Sequence, residues 1–534
     1  MPKCFIDCLK SGDFPMVRIK SVGCVLLALS LLVTGCGGSG GKDGGNKTAE
    51  GEVSRDTGTP KRGGSLTILR ASDIDGWDLD KAIQLSTFET LPQVMEGLVR
   101  PGADGKSIEP GLAESWKLDA KAKTITFTLR PGLTFSNGQP VTSADAAFSV
   151  DLWRKGLSLG SLYAAITGTA TPDPRTLVIK MNKASTFTLT WLSNGSSIVV
   201  PKDFGGMDRK EFFTKPIGAG PFVVASYKPG QQLVLDRNPR YYDAERPYLD
   251  RLTYDVVTDP NQQMLRYQSR QADMIEGVPL DLAGQIPENE RMPIHPSATI
   301  HGVFVNAAKA PGSDVHFRRA VSLAIDRAQY IQAVFGGLAV PATGGLPPRV
   351  QGSVGCGCVY DTGVEKAKAE LAKSSYKPGT KVELVVDAAT PFSTRAGEVV
   401  ASQLRAIGID ADLQKLEAQV LVDRQMQGNY NLSLGEVSSV SPTVGDIFGL
   451  IVATGGLYSG LPMKTISDAF EHLEVAQTDD ERAEAVRVAE TWIHDNLPYI
   501  PMAFPDRLFA VSSKVKGLEV TPFLSYPAHQ LWVG

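Results

Sequence analysis

Residues 124–129 read Thr-Ile-Thr-Phe-Thr-Leu, a strict alternation of polar and apolar side chains. Successive side chains of a strand point to opposite faces, so this period of two predicts a strand buried on one side. It runs into Pro131-Gly132 and Asn137-Gly138, whose turn chemistry ends the strand. The period then changes. Thr142-Ser143-Ala144-Asp145 places a hydroxyl and a carboxylate three residues apart, as a helix N-terminal capping box requires, and Ala147, Phe148 and Leu152 follow on one face. Phe317, Val321, Ala324, Ile325 and Ala328 recur at intervals of three and four, which predicts one packed helix ended by Gly336-Gly337. Thr478-Asp479-Asp480-Glu481 is a second capping box, leading a helix that turns Val486, Ala489, Ile493 and Leu497 inward until Pro498 stops it. Strand and helix patterns interleave without a repeat of fixed period, which predicts α/β layers. At 534 residues the chain exceeds the ~250–300 at which one core stops growing, so two or more lobes are expected.

The start of the chain carries another pattern. Arg18 and Lys20 precede an almost uncharged run from Ser21 to Gly35, centred on Val25-Leu26-Leu27-Ala28-Leu29-Ser30-Leu31-Leu32. These are the basic and apolar regions of a secretory signal. A membrane-spanning helix needs about 20 apolar residues, whereas this run is shorter and ends in Val33-Thr34-Gly35-Cys36. Small residues before a cysteine resemble the bacterial lipobox, which implies cleavage behind Gly35 and acylation of Cys36 as the mature N-terminus. A plain signal peptide and a membrane anchor are the alternatives. Residues 1–15 are unlike a signal n-region, which makes Met16 a candidate translation start. Residues 37–60 are rich in glycine and polar side chains with little to bury, as expected of a flexible tether. Its Gly40-Gly41-Lys42 is not a phosphate loop, because Cys36 stands where the first glycine belongs and Asp43 where Ser or Thr belongs.

Composition works by exclusion. With 42% hydrophobic and 21% charged residues the chain has the make-up of an ordinary globular protein, and its net charge of −4 leaves no basic footprint for DNA or RNA. Four basic and two acidic residues leave with the leader, which takes the mature chain to −6. Cys4, Cys8 and Cys24 leave as well, and with Cys36 acylated only Cys356 and Cys358 remain, too few for a disulfide framework. Those two either bridge across Gly357 or stay reduced; metal binding is the third reading, since two thiolates without further ligands make a poor closed site. His295, His301, His316, His472, His494 and His529 form neither HExxH nor a zinc-spaced set, so each reads as a surface or packing residue. No Gly-x-Ser-x-Gly elbow occurs, and the Ser-x-x-Lys matches at Ser374 to Lys377 and Ser513 to Lys516 lack their companion motifs. No catalytic residue, cofactor or metal is expected, although sequence order leaves open a triad assembled from distant residues.

From Gly63 to Gly517 a series of short motifs follows one order. Gly63-Gly64-Ser65-Leu66 comes first, then Glu96-Gly97-Leu98-Val99-Arg100 with an Asp-Gly turn at 104–105, and Pro110-Gly111-Leu112-Ala113-Glu114-Ser115-Trp116. Pro216-Ile217-Gly218-Ala219-Gly220-Pro221-Phe222, Arg237-Asn238-Pro239 and Pro247-Tyr248-Leu249-Asp250 follow, and later Arg318-Arg319-Ala320-Val321, Gln403-Leu404-Arg405-Ala406-Ile407-Gly408 and Leu497-Pro498-Tyr499-Ile500-Pro501. Together they resemble family 5 of the extracytoplasmic solute-binding proteins, the oligopeptide, dipeptide and nickel binders of bacterial ABC importers. Taken singly, most read as scaffold, with glycine and proline for turns and Trp116 for core. The resemblance implies an α/β, two-lobed periplasmic-binding-protein-like fold of the type II or cluster C kind, with an extra subdomain inserted in the first lobe. With the signal peptide at 1–35 and the lipidated tether at 36–60 read from the leader pattern and composition, the order of the motifs implies the first lobe at 61–95, 215–296 and 507–534, the inserted subdomain at 96–214 and the second lobe at 297–506. It also implies a monomer that closes over a small-molecule or peptide ligand and serves ABC permease subunits at the outer face of the membrane. An enzyme and an adhesin or chaperone-like surface protein are the competing classes.

Cargo is where the chain departs from its relatives. Dipeptide binders of the family hold the peptide's amino group with an aspartate before an Asp-Pro pair and its carboxylate with an arginine. The first segment here reads Gly435-Glu436-Val437-Ser438-Ser439-Val440-Ser441-Pro442, with Ser438 and Ser441 in place of the acids, Ser439 beside them, and Glu436 as the remaining carboxylate. The arginine position falls at Asp387, with Arg395 eight residues on. Without the charge pair a free dipeptide loses two charge-assisted contacts worth roughly 1.5–3 kcal/mol each, so a longer, capped or non-peptide ligand (a metal chelate, an amino sugar, haem) is expected.

Overall fold

The computed structural model describes residues 58–534 except 80–84, 103–106, 157–159, 184, 296, 349–352, 354–357, 359–360, 389–390, 439–459, 477 and 522–524. In chain order the strands are β1 (Ser65–Arg70), β2 (Val99–Pro101), β3 (Ile108–Pro110), β4 (Ala113–Asp119), β5 (Thr124–Leu129), β6 (Ile166–Asp173), β7 (Thr176–Met181), β8 (Phe222–Lys228), β9 (Gln232–Arg237) and β10 (Arg251–Val256). They continue as β11 (Met274–Val278), β12 (Arg291–Ile294), β13 (Thr299–Val305), β14 (Ala339–Pro341), β15 (Lys381–Asp387), β16 (Asp410–Leu416), β17 (Leu432–Ser438), β18 (Tyr499–Pro505) and β19 (Arg507–Val511).

Two large mixed sheets result. The first has the order β12-β19-β11-β1-β10-β9-β8, the second β14-β18-β13-β17-β15-β16. A separate four-stranded antiparallel sheet, β4-β5-β7-β6, forms between the first and second visits to the first sheet. Burial follows the sequence pattern: the alternating β5 is covered on one face, whereas the apolar β18 is buried at every position, and so is β13, which carries Thr299 and His301 among its apolar residues, as strands covered on both faces must be. The chain passes from the first sheet to the second between β12 and β13, and returns between β18 and β19 through the single residue Asp506.

Glycines in the sequence motifs serve the scaffold. A Cβ on Gly218 would lie 1.9 Å from the Val94 carbonyl oxygen at the end of helix Leu85–Val94, so only glycine lets that turn back onto the helix.

Both capping boxes are present. The Asp145 carboxylate accepts from the Thr142 N–H at 2.8 Å, and in the other box the Thr478 hydroxyl accepts from the Glu481 N–H at 3.2 Å. Helix Asp479–Asn496 buries Val486, Ala489 and Ile493, as its spacing predicts, and Leu497 beyond it is buried as well. Helix Ser143–Lys155 corrects the expected face: Ala146, Val150 and Trp153 are the buried stripe, whereas Phe148 and Leu152 are half-buried against the core of the first sheet. Two bodies pack on this helix, so one apolar stripe did not describe it.

The helix expected to run from Phe317 through Ala328 is two helices, Val315–Ala324 and Arg327–Phe335. Ile325 is extended, the Asp326 carboxylate caps the second helix by accepting from the Gln329 N–H at 2.9 Å, and Ala328 is exposed. The break turns the Arg327 guanidinium inward, where it donates to the Pro501 carbonyl at 3.1 Å in the buried strand β18. Of the two cysteines left in the mature chain, Cys358 is disulfide-bonded and Cys356 lies outside the described residues.

The split gives a test with a sign. Asp326→Ala removes an N-cap and is expected to cost about 1 kcal/mol in urea denaturation. A continuous helix would gain or stay level on receiving alanine there.

Candidate functional site

Topology sends the catalytically silent but chemically polar residues to one place. β12 runs parallel to β11 and β1 and ends where the chain leaves the first sheet. β13 starts there and runs antiparallel to β17, so β17 and its parallel neighbour β15 end at the same junction. The carboxyl ends of the parallel strands of both sheets therefore face the two crossings, the position at which open α/β sheets receive ligands.

The crossings are tied side by side. The Ser297 hydroxyl donates to the Pro505 carbonyl at 2.7 Å, and His295 Nδ1 lies 2.7 Å from Asp506 Oδ1. Burial pushes the Asp506 carboxyl above its ordinary value, against the opposing pull of His295. Beside them Glu436 Oε2 of β17 meets Arg507 Nη2 of β19 at 3.1 Å, an ion pair that reaches from one sheet to the other. His301 stands opposite Glu436 in the β13–β17 register. It is fully buried among Tyr330, Phe335 and Phe392, with Nδ1 2.8 Å from the Tyr330 hydroxyl. Burial holds its imidazole down to about 4, Glu436 pulling the other way and Arg507 reinforcing the shift. His301 is thus a packing residue, as its isolation in the sequence implied.

The other predicted residues fall as follows. Asp387 is the last residue of β15 and half-buried. Arg395 is exposed on helix Pro391–Ala406, and Ser438 is exposed at the end of β17 with its hydroxyl 3.0 Å from that of Thr299. Cys36, Ser439 and Ser441 lie outside the described residues. Asp387, Glu436 and Ser438 share the junction edge through the strand register, and Glu436 already has a cationic partner in Arg507. His295, Asp506 and Arg507 escaped the sequence reading; the available signal was a charged pair directly after the unbroken apolar run 499–505.

The four-stranded body also reaches the second sheet's helices. Phe187 of helix Thr186–Leu192 stacks on Phe470 of helix Lys464–Val475 with centroids 6.0 Å apart, and Lys183 pairs with Glu474. Among the described residues no cluster of three or more His, Cys, Asp or Glu side chains could hold a metal ion, and no helix is long and apolar enough to cross a membrane.

Comparison with known proteins places this architecture. Residues 107–458 match the family described as bacterial extracellular solute-binding proteins, family 5 Middle. The chain is similar to the probable D,D-dipeptide-binding periplasmic protein DdpA of Escherichia coli, 25% identical over 481 residues that cover 86% of this chain and 92% of that one. It is similar to the nickel-binding periplasmic protein of the same organism, 26% identical over 463 residues covering 80% and 87%. Among solved structures, AgaA from A. tumefaciens R10 in complex with agropinic acid superposes with a TM-score of 0.75 at 24% identity, covering 88% of this chain and 99% of that one.

His301 makes the junction sensitive to acid in a defined direction. Its folded value lies below the ordinary 6.5, so the folded state resists protonation, and stability is complete above pH 6.5 and falls as pH drops toward 4. Urea melts at pH 7 and pH 5 should show a larger loss for the wild type than for His301→Asn, whatever the variant's stability at pH 7; equal losses would remove this account.

Proposed function

We infer function from one premise: this chain belongs to the bacterial extracellular solute-binding proteins of family 5. It is a solute-binding protein of ABC import, which takes up a ligand outside the cytoplasm and delivers it to the transporter, and it is a binding protein without catalysis. The finer reading is that cargo is peptide or peptide-like and is held between the two large sheets. The observation that carries this is the convergence of the carboxyl ends of β1, β11, β15 and β17 on a junction made by two short crossings. A cleft so placed buries most of a ligand and couples its capture to closure about the crossings. Supported by the signal pattern and the tether composition, Cys36 is the lipid anchor, with the signal peptide at 1–35, and the permease partner is the transmembrane pair of an ABC importer. The lobes divide near 297 and 506, where the sheets change.

For recognition of cargo, Ser438, Ser439 and Ser441 supply hydroxyls where dipeptide binders of the family use acids, and the Glu436 charge is offset by Arg507. Hydroxyls accept from an ammonium but bring no charge to offset its desolvation, so a free N-terminus is a weak determinant. Asp387 at the position of the carboxylate-binding arginine disfavours a free carboxylate, with Arg395 farther along the next helix. The same exchange of charges favours a second reading, a non-peptide ligand on the same scaffold. The names of two relatives, a nickel binder and a complex with agropinic acid, show that the scaffold admits such cargo in those proteins.

Two experiments check these readings. Titration calorimetry of one peptide in free, N-acetylated and C-amidated forms should give affinities within about tenfold of one another, whereas tight binding of the free dipeptide lost on either capping, a difference above roughly 1.4 kcal/mol, would overturn the assignment of the anchors. Cys36→Ala should abolish lipid labelling and release the protein from the membrane fraction; labelling like that of the wild type would remove the anchor from this residue.

A further inference from the structure

A cavity independent of the junction lies on the first-sheet side, between helix Leu85–Val94, β2, the turn at 193–198, Thr521 and the C-terminal segment 525–529. Its volume is about 120 Å³, it is open to solvent, and none of its lining residues comes from the second sheet. Phe88, Pro92, Tyr241 and Tyr526 make most of its wall apolar. Two carboxyl groups, Glu89 and Glu96, stand in that wall seven residues apart.

Glu96 is the informative one. It is 5% exposed. Its Oε1 accepts from the Tyr242 hydroxyl at 3.0 Å and lies 3.7 Å from Arg100 Nη1. Its Oε2 is buried and accepts no hydrogen bond among the described residues, while the Tyr241 hydroxyl stands close enough to favour the ionised carboxyl. The cations nearby are occupied. Arg100 Nε lies 3.3 Å from Glu109 Oε2, its Nη1 lies 3.3 Å from His529 Nε2, and Arg130 stacks over the Tyr242 ring at 4.8 Å. An unsatisfied buried carboxylate oxygen costs the desolvation of a charged group, a cost that a donor entering the cavity would remove. Arg100 also stands in the wall, so the preference for a cationic guest over an anionic one develops only as the Glu96 carboxyl ionises.

We propose that this cavity is a second ligand site, which takes a small organic amine whose N–H groups donate to the Glu96 carboxyl, a turn of that side chain bringing Oε2 to the cavity, while its apolar body lies among Phe88, Pro92, Tyr241 and Tyr526. The reading stands apart from the interlobe cleft, because the guest touches only the first-sheet side and needs no closure. Proton linkage accompanies it. Burial pushes the Glu96 carboxyl up to about 7, so an amine that favours the ionised form displaces a proton, and affinity rises between pH 6 and pH 8. The groups facing Glu96 do not titrate in that interval: Arg100 stays charged, Tyr241 and Tyr242 are pushed up by burial, and His529 is held well below its ordinary value and stays neutral. Glu89, pushed up by burial and by the charge of Glu276, is the other group on the wall able to follow pH.

The test uses the full mature chain and 2-phenylethylamine as the probe, with 2-phenylethanol and 3-phenylpropionate as its neutral and anionic counterparts, in ligand-detected NMR and thermal-shift titrations at millimolar concentration. The amine is expected to bind best. Glu96→Gln should weaken the amine roughly tenfold to a hundredfold, leave the alcohol unchanged and abolish the rise with pH, while Glu89→Gln keeps that rise. Phe88→Ala, which leaves both carboxyl groups in place, should weaken the amine and the alcohol alike and decides the matter if Glu96→Gln does not fold. Amine and alcohol binding equally, amine affinity unchanged in Glu96→Gln or in folded Phe88→Ala, or no binding of the amine at these concentrations would each overturn the proposal.

Discussion

Everything the two large sheets do together passes through the hydrogen-bonded pair of crossings, residues 295–298 and Asp506. One of them is a single residue long, so β18 and β19 stand nearly end to end while belonging to different sheets. The Ser297–Pro505 and His295–Asp506 contacts make the crossings one unit. Crossings so tied lie on a common line, about which the proposed closure would bend. Strand direction follows from the same constraint. Because β13 must begin at the crossing, β17 must end there, and residues as far apart in the chain as Asp387, Ser438 and Arg507 are delivered to one edge.

Charge at this edge is arranged to be nearly neutral. The Glu436–Arg507 pair is only partly buried, 25% and 33% exposed at the side chains, and so avoids the full desolvation cost of an interior ion pair. Its contribution to the fold is correspondingly modest, and on the proposed reading its consequence would lie in recognition. A carboxylate already facing a guanidinium attracts a ligand's ammonium less than an isolated one does, and the hydroxyl of Ser438 is shared with Thr299. If this edge receives the ligand as proposed, its polar complementarity would be of the hydrogen-bonding kind, which discriminates by geometry more than by net charge.

How much of this was legible in the sequence depends on how local the determinant is. Strand 124–129 and the capping boxes at Thr142 and Thr478 were readable because period and cap lie within a few residues of one another. The helix break at Ile325-Asp326 was missed because the apolar spacing of three and four continues through it, while the cap that interrupts it looks like any acidic residue on a helix surface. The misjudged face of helix Ser143–Lys155 has a different origin: what covers Phe148 and Leu152 is the core of the first sheet, whose strands lie distant in the chain. The junction was half legible. Glu436 and Ser438 were found through family motifs, whereas Arg507 and His295 gain meaning only once the crossings are adjacent. Glu96 sat in plain view within Glu96-Gly97-Leu98 and read as scaffold, since nothing in the sequence tells whether a carboxylate oxygen has a partner.

Protein-made contacts between the bodies bear on how cargo of varied chemistry can operate one mechanism. The core that surrounds Phe127, Trp153 and Ile179 in the four-stranded body continues without a break into Ile300, Phe304, Ile466 and Ile493 of the second. The Phe187–Phe470 stack and the Lys183–Glu474 pair lie along the same seam. A ligand shifts an equilibrium between open and closed forms only by the difference in its affinity for the two. Where apolar burial between the bodies already favours approach, the ligand has to supply only the remainder, at about 25 cal/mol for each Å² of apolar surface it helps to remove from water together with the hydrogen bonds it completes. A few well-placed hydroxyls and main-chain groups then suffice to report occupancy, and strong charge pairing with the ends of a peptide becomes a matter of selectivity. On the proposed reading, serines at 438 and 441 in place of acidic anchors would alter which solute is carried without removing the closure by which its capture would be signalled.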